Sequence, residues 1–124
     1  MRALIAGGCG FVGMNIAEAI LRRGDDAVLF DANPLHWEAA RAFDLLPGTY
    51  SVEQGDVRNA RTVAAAFINH EIDAVFYGAA MTSGPERERA SPDQVLGVNL
   101  LGLVNVINAA TKAGVVKRVI NISS

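Results

Sequence analysis

The sequence has 124 residues, enough for one domain that buries about two thirds of its unfolded surface. Apolar residues make up 51% and charged residues 19%, which excludes a disordered chain. Eleven basic against thirteen acidic residues leave a net charge of −2, and a single cysteine, Cys9, excludes an internal disulfide and a thiolate metal cluster. No basic excess favours nucleic acid. Strand-like sequence starts directly after Met1, with no signal peptide in view, and no unbroken apolar run of about 18 residues is present. The expectation is a soluble cytoplasmic protein with neither membrane nor nucleic acid as partner.

Short β-rich runs fall at residues 3–6, 27–30, 50–54, 74–77 and 118–122, with longer helical stretches between them. Strands alternating with helices predict βαβ units and a parallel sheet covered on both faces. The first helix is expected over residues 10–23. Val12, Ile16, Ala19 and Ile20 recur at helical spacing as its buried stripe, and Arg22, Arg23 and Gly24 mark its end. Between strand and helix lies Ala6-Gly7-Gly8-Cys9-Gly10-Phe11-Val12-Gly13. A glycine-rich bend in this context lets the backbone approach a dinucleotide's pyrophosphate, and the helix N-terminus offers it unpaired amides. Two registers fit: Gly8, Gly10 and Gly13 as G-x-G-x-x-G, or Gly7, Gly10 and Gly13 as G-x-x-G-x-x-G. Cys9 reads as a spacer at a variable position of this loop rather than a reactive thiol, although a helix N-terminus is able to lower a thiol's pKa.

Asp31 follows the second strand, where a carboxylate accepts hydrogen bonds from the adenosine ribose and repels a 2′-phosphate. No Arg or Lys follows until Arg41, so NAD is expected over NADP. A second helix is expected over 35–45, with Trp37 and Phe43 as packing residues. After the third strand, Asp56 in Gly55-Asp56-Val57 suits the adenine amino group, or caps a helix starting near Arg58 or Asn59, or both. The third helix, 60–70, carries Val63, Phe67 and His70 on one side. Gly78-Ala79-Ala80 after the fourth strand leaves room for a cofactor against the strand ends, or is a plain tight loop. Glu86-Arg87-Glu88-Arg89 reads as a solvated loop, and no residue spacing suggests a metal site. The last helix, 92–113, has two apolar stripes: Val95, Val98, Gly102, Val106 and Ala109, then Leu96, Leu100, Leu103 and Ile107. A one-sided helix needs one stripe, so the second faces a partner subunit or a further part of the same chain.

In order and spacing, Gly7 to Gly13, Asp31, Gly55-Asp56-Val57-Arg58, Gly78-Ala79-Ala80, Asn99 with Gly102, and Ile122-Ser123-Ser124 resemble the N-terminal half of the extended short-chain dehydrogenases/reductases. The resemblance is to the NAD-dependent epimerase/dehydratase family acting on nucleotide sugars. It implies a Rossmann-type doubly wound parallel sheet, strand order 3-2-1-4-5, and the register Gly7, Gly10, Gly13. It further implies that Phe11 and Val12 hold the pyrophosphate through their amides and Asp31 the ribose, with Asp56 and Val57 flanking the adenine. Gly78, Ala79 and Ala80 would line the path to the nicotinamide, with Met81 and Thr82 near the substrate. Asn99 would lie close to the nicotinamide ribose, and Ser124 would be the active-site hydroxyl that bonds the reacting sugar oxygen.

The family's chemistry is hydride transfer assisted by a tyrosine base, with a lysine four residues later lowering the phenol's pKa. Here Tyr50 and Tyr77 are followed four later by Gln54 and Met81, so no Tyr-x-x-x-Lys exists in these residues. The family's later strands and sugar-binding lobe are also absent. The expectation is the NAD-binding N-terminal portion of a sugar or nucleotide-sugar epimerase, dehydratase or dehydrogenase, inactive by itself and homodimeric through the 92–113 helix in the full-length protein. The alternative is an NAD-sensing module without turnover.

Overall fold

The computed structural model describes residues 1–80 and 85–122. In chain order the elements are β1 (Arg2–Ala6), α1 (Phe11–Arg22), β2 (Asp26–Asp31), α2 (Trp37–Phe43), β3 (Tyr50–Gln54), α3 (Ala60–Asn69) and β4 (Ala74–Tyr77). Then come α4 (Pro85–Ala90), α5 (Pro92–Leu96), a π-helical turn (Gly97–Leu101), α6 (Gly102–Ala113) and β5 (Arg118–Asn121). The strands form one parallel sheet in the order β3-β2-β1-β4-β5, so the chain winds outward one way from β1 and then restarts the other way at β4.

Side-chain alternation along the strands builds two cores. Leu4, Ala6, Val28, Phe30, Val75 and Tyr77 join Val63, Ala66 and Phe67 of α3 and Val106 and Ala110 of α6. Ala3, Ile5, Ala27, Leu29 and Ala74 join Ala17, Ile20 and Leu21 of α1 and Phe43 of α2. The central strands are buried on both faces, which is why β1, β2 and β4 read as unbroken apolar runs. Truncating Leu4 or Leu29, both essentially inaccessible to water, costs about 2–5 kcal/mol.

Several local expectations need correction. The buried face of α1 is Gly13, Ala17, Ile20 and Leu21, while Val12 and Ala19 are exposed. Gly13 must tuck onto the loop before the helix, and that contact rotates the helix away from the stripe read by periodicity. Trp37 is 61% exposed under the Arg41 guanidinium, whereas Phe43 is buried edge-on to Tyr50. His70 is only half-buried and meets Glu53 at 2.8 Å, a polar contact no period reveals. Glu86 to Arg89 form the exposed helix α4 rather than a loop. Pro85 starts it, and the run places acids in its first turn and arginines in its last.

From Pro92 to Ala113 the chain is one helix of 22 residues, interrupted only by the π turn. Of its two stripes, Gly102, Val106 and Ala110 are buried against the domain, with Val95, Val98 and Ala109 partly covered. Leu96, Leu100 and Ile107 are exposed, and Leu103 is half-buried against the core. By length and composition this helix is apolar enough to cross a bilayer, with mean hydropathy 1.4, a property that a search for unbroken apolar runs overlooks. Of its most apolar stretch, 22% is buried within the domain.

Candidate functional site

A cleft of about 340 Å³ opens at the carboxyl ends of β1 and β4, where the winding reverses. Open α/β sheets bind ligands at this switch point because the outgoing connections part there. Gly7 and Gly10 line it after β1, Phe30 to Asn33 at the end of β2, and Gly55 to Arg58 after β3. Gly78 to Ala80 line it after β4, and Val98 reaches it from the long helix.

The glycines of the first loop do different work. Gly7 has φ +78°, which favours glycine, and its amide donates to the Phe30 carbonyl at 2.8 Å. A Cβ there would lie 2.8 Å from the backbone of Gly78, so the loops after β1 and β4 touch. On Gly8 it would press within 2.9 Å of Leu29, and on Gly13 it would land on the Gly7 carbonyl. On Gly10 it would meet only the Gly7 carbonyl, at an ordinary 3.4 Å. Three of these glycines thus serve the protein's own packing. Gly10 borders open cleft.

Gly10 is also the N-cap of α1 and brings no side chain to cap it. Met14 makes the first intrahelical bond, to the Gly10 carbonyl, so the amides of Phe11, Val12 and Gly13 lie ahead of the ladder. No acidic side chain sits in that first turn. The end of α1 therefore presents donors and partial positive charge beside the cleft.

Asp31, at the end of β2, accepts from the Cys9 amide at 3.0 Å and the Asn33 amide at 2.9 Å, one bond to each carboxylate oxygen. It ties the glycine loop to its own strand, and lone pairs remain for a ligand's hydroxyls. Burial, with Asp31 close by, pushes the Cys9 thiol up to about 11, the reverse of the lowering expected from the helix end. The cap position belongs to Gly10 rather than to Cys9.

Asp56 is not the cap of α3. Asn59 is, accepting from the amides of Arg61 and Thr62. Asp56 instead receives the amide and the guanidinium of Arg58, with Nη2 at 2.6 Å. That guanidinium holds its carboxyl below the usual carboxylate range. Val57 is buried, and its carbonyl accepts from the Asn105 side chain of α6 at 2.9 Å.

The cleft brings together Gly7, Gly10, Asp31, Asp56, Val57, Gly78, Ala79 and Ala80. Phe11, Val12 and Gly13 flank it at the start of α1, and Asn99 sits exposed in the π turn, one residue past the lining Val98. Met81, Thr82 and Ser124 lie outside the described residues. Sequence reading missed Tyr77, whose hydroxyl donates to the Val98 carbonyl, and Asn105. As the last residue of an apolar strand, Tyr77 carries no signal of that bond. Among the described residues, no group of three or more His, Cys, Asp or Glu could hold a metal ion.

A family model described as the NAD dependent epimerase/dehydratase family matches residues 3–124. A UDP-glucose 4-epimerase of Neisseria gonorrhoeae is 32% identical, with the match covering 100% of this chain and 37% of that protein. A 3 beta-hydroxysteroid dehydrogenase/Delta 5-->4-isomerase of Mycobacterium tuberculosis is 34% identical over 92% of this chain and 29% of its own length. The Bordetella bronchiseptica enzyme WbmG, solved in complex with NAD, superposes with a TM-score of 0.78 at 32% identity, covering 98% of this chain and 36% of that one. The chain thus spans about a third of the length of the relatives it matches. It belongs to the NAD dependent epimerase/dehydratase family.

Proposed function

We propose that these 124 residues are the NAD-binding portion of an enzyme that oxidises a hydroxyl of a sugar or nucleotide sugar. The observation that carries the cofactor is Gly10: the protein's own packing leaves room for a side chain there, and the space borders the unpaired amides of α1. A pyrophosphate fits that space, held by the amides of Phe11 and Val12. Asp31 takes the ribose hydroxyls with its remaining lone pairs, and its charge disfavours a 2′-phosphate. Asp56 and Val57 flank the adenine. Gly78, Ala79 and Ala80 let the nicotinamide half lie against the end of β4, with Asn99 at its ribose. Bound NAD supplies a hydride acceptor. Met81 and Thr82 contact the substrate, and the Ser124 hydroxyl bonds the reacting oxygen.

The sugar rests on the epimerase relative, since the steroid dehydrogenase is equally similar across this region. These residues contain no Tyr-x-x-x-Lys, so in this reading they bind NAD without turnover. The exposed stripe Leu96, Leu100 and Ile107 pairs with a second copy in a homodimer. Calorimetric titration tests the cofactor: NAD binds saturably and NADP at least about tenfold more weakly. Binding of neither dinucleotide, or tighter NADP, overturns the reading.

A further inference from the structure

Tyr77 is 2% exposed, and a buried phenol must find a partner for its hydroxyl. It donates to the carbonyl of Val98 at 2.6 Å. Val98 belongs to the π turn, where the Gly102 amide reaches back five residues to the Gly97 carbonyl instead of four. Such a turn carries an extra residue, is uncommon, and recurs at functional sites.

Two further contacts press this turn onto the loop after β3. A Cβ on Gly102 would collide with the Tyr77 hydroxyl and come within 3.0 Å of the Val57 Cβ. A Cβ on Gly97 would sit 3.1 Å from the Arg58 Cδ. Asn105, one turn further along, bonds the Val57 carbonyl. The widened turn is therefore clamped between β4 and residues 57 and 58, and it contributes Val98 to the cleft wall.

We propose that Tyr77 is a positioning residue for base recognition: its bond to Val98 holds the π turn against Val57 and Arg58, and Arg58 in turn holds the Asp56 carboxylate, so that this end of the cleft distinguishes a 6-aminopurine from a 6-oxopurine. The inference rests on the NAD reading above. An ionised carboxylate only accepts hydrogen bonds: held at the purine 6-position, Asp56 favours an amino group and repels a carbonyl oxygen, whereas a carboxylate shifted towards N1 accepts from the N1–H of a 6-oxopurine. Phenylalanine at position 77 keeps the packed ring and removes only the bond to Val98.

The test compares NAD with nicotinamide hypoxanthine dinucleotide on the wild-type chain and on Tyr77→Phe. The wild type prefers NAD by about tenfold, and Tyr77→Phe brings the preference to within about threefold. Hydrogen exchange without ligand gives a second readout. In Tyr77→Phe, amides of residues 97–103 exchange about tenfold faster, while those of β1 and β2 keep their protection. An unchanged preference in the variant, a wild type indifferent to the base, or unaltered exchange in the π turn each overturns the inference. A wild type that binds neither dinucleotide removes the NAD reading and this one with it.

Discussion

Arg58 closes a fork on Asp56, two residues before it in the same loop, with Nε 3.0 Å from Oδ1 and Nη2 2.6 Å from Oδ2. The pair is partly exposed, so screening keeps its worth to the fold small. Its larger effect is orientation. The fork fixes the carboxylate at the cleft while the Arg58 stem lies against Gly97.

Arg58→Met should therefore weaken NAD binding by about three- to tenfold, with only a small fall in the urea midpoint. The pH dependence has a defined sign. Asp56 is held below the ordinary value near 3.9 by Arg58, so its contribution is present above that pH and is lost as pH falls through the lower folded value. Urea melts at several pH values should show wild type and Arg58→Met differing near neutrality and converging once the pH falls below the ordinary carboxylate range. A gap that persists in acid would show that Arg58 acts through packing instead.

Gly10 and Gly13 belong to the same motif, yet their substitutions should fail differently. Alanine at Gly13 puts a methyl on the Gly7 carbonyl, within backbone that has little room to yield. The expected cost is about 1–3 kcal/mol of stability, read as a lower melting temperature. Alanine at Gly10 meets no such obstacle, so its melting temperature should stay within a few degrees of wild type while NAD affinity falls at least about tenfold. Equal melting losses for the two variants, or full NAD binding by Gly10→Ala, would contradict the division of labour between them.

The Cys9 thiol is raised to about 11 by burial and by Asp31, so thiolate is scarce at neutral pH. Iodoacetamide should modify Cys9 at pH 7 at least about tenfold more slowly than glutathione. The rate should climb steadily towards pH 11, for as long as the fold survives. A rate matching glutathione at pH 7 would mean that the helix end governs the thiol after all.

These expectations show what the sequence discloses. Strand positions were legible because apolar runs of four to six residues alternate with helical stretches, and the five strands lie within a residue or two of where composition puts them. The glycine loop and Asp31 are legible as residues of one cleft because a tight βα turn demands glycine and an acid stands out at the end of an apolar strand. Facing residues were less so. Val12 read as core from its spacing, yet the seat of Gly13 on Gly7 turns it outward. The Tyr77–Val98 bond was invisible because a π turn has no composition of its own. A sequence separation of 21 residues leaves no local pattern either. The sequence offers Asp56 as an adenine contact or a helix cap; the structure puts it at the cleft and gives the cap to Asn59, and nothing in the spacing assigns the fork to Arg58.

The long helix offers the last test. Leu100 is exposed on the outer stripe, while Leu103 is half-buried against the core that contains Val106 and Tyr77. The two glutamate substitutions should therefore separate association from folding. Leu100→Glu should convert a dimer to a monomer, with melting within a few degrees of the dilute wild type. Leu103→Glu should do the same and also lower the melting temperature, because it forces a carboxylate towards apolar neighbours. Light scattering across a range of concentrations gives the mass of each. A wild type that stays monomeric up to about 100 μM, well above the affinity expected of a standard-sized interface, would exclude the homodimer and leave the outer stripe to another partner.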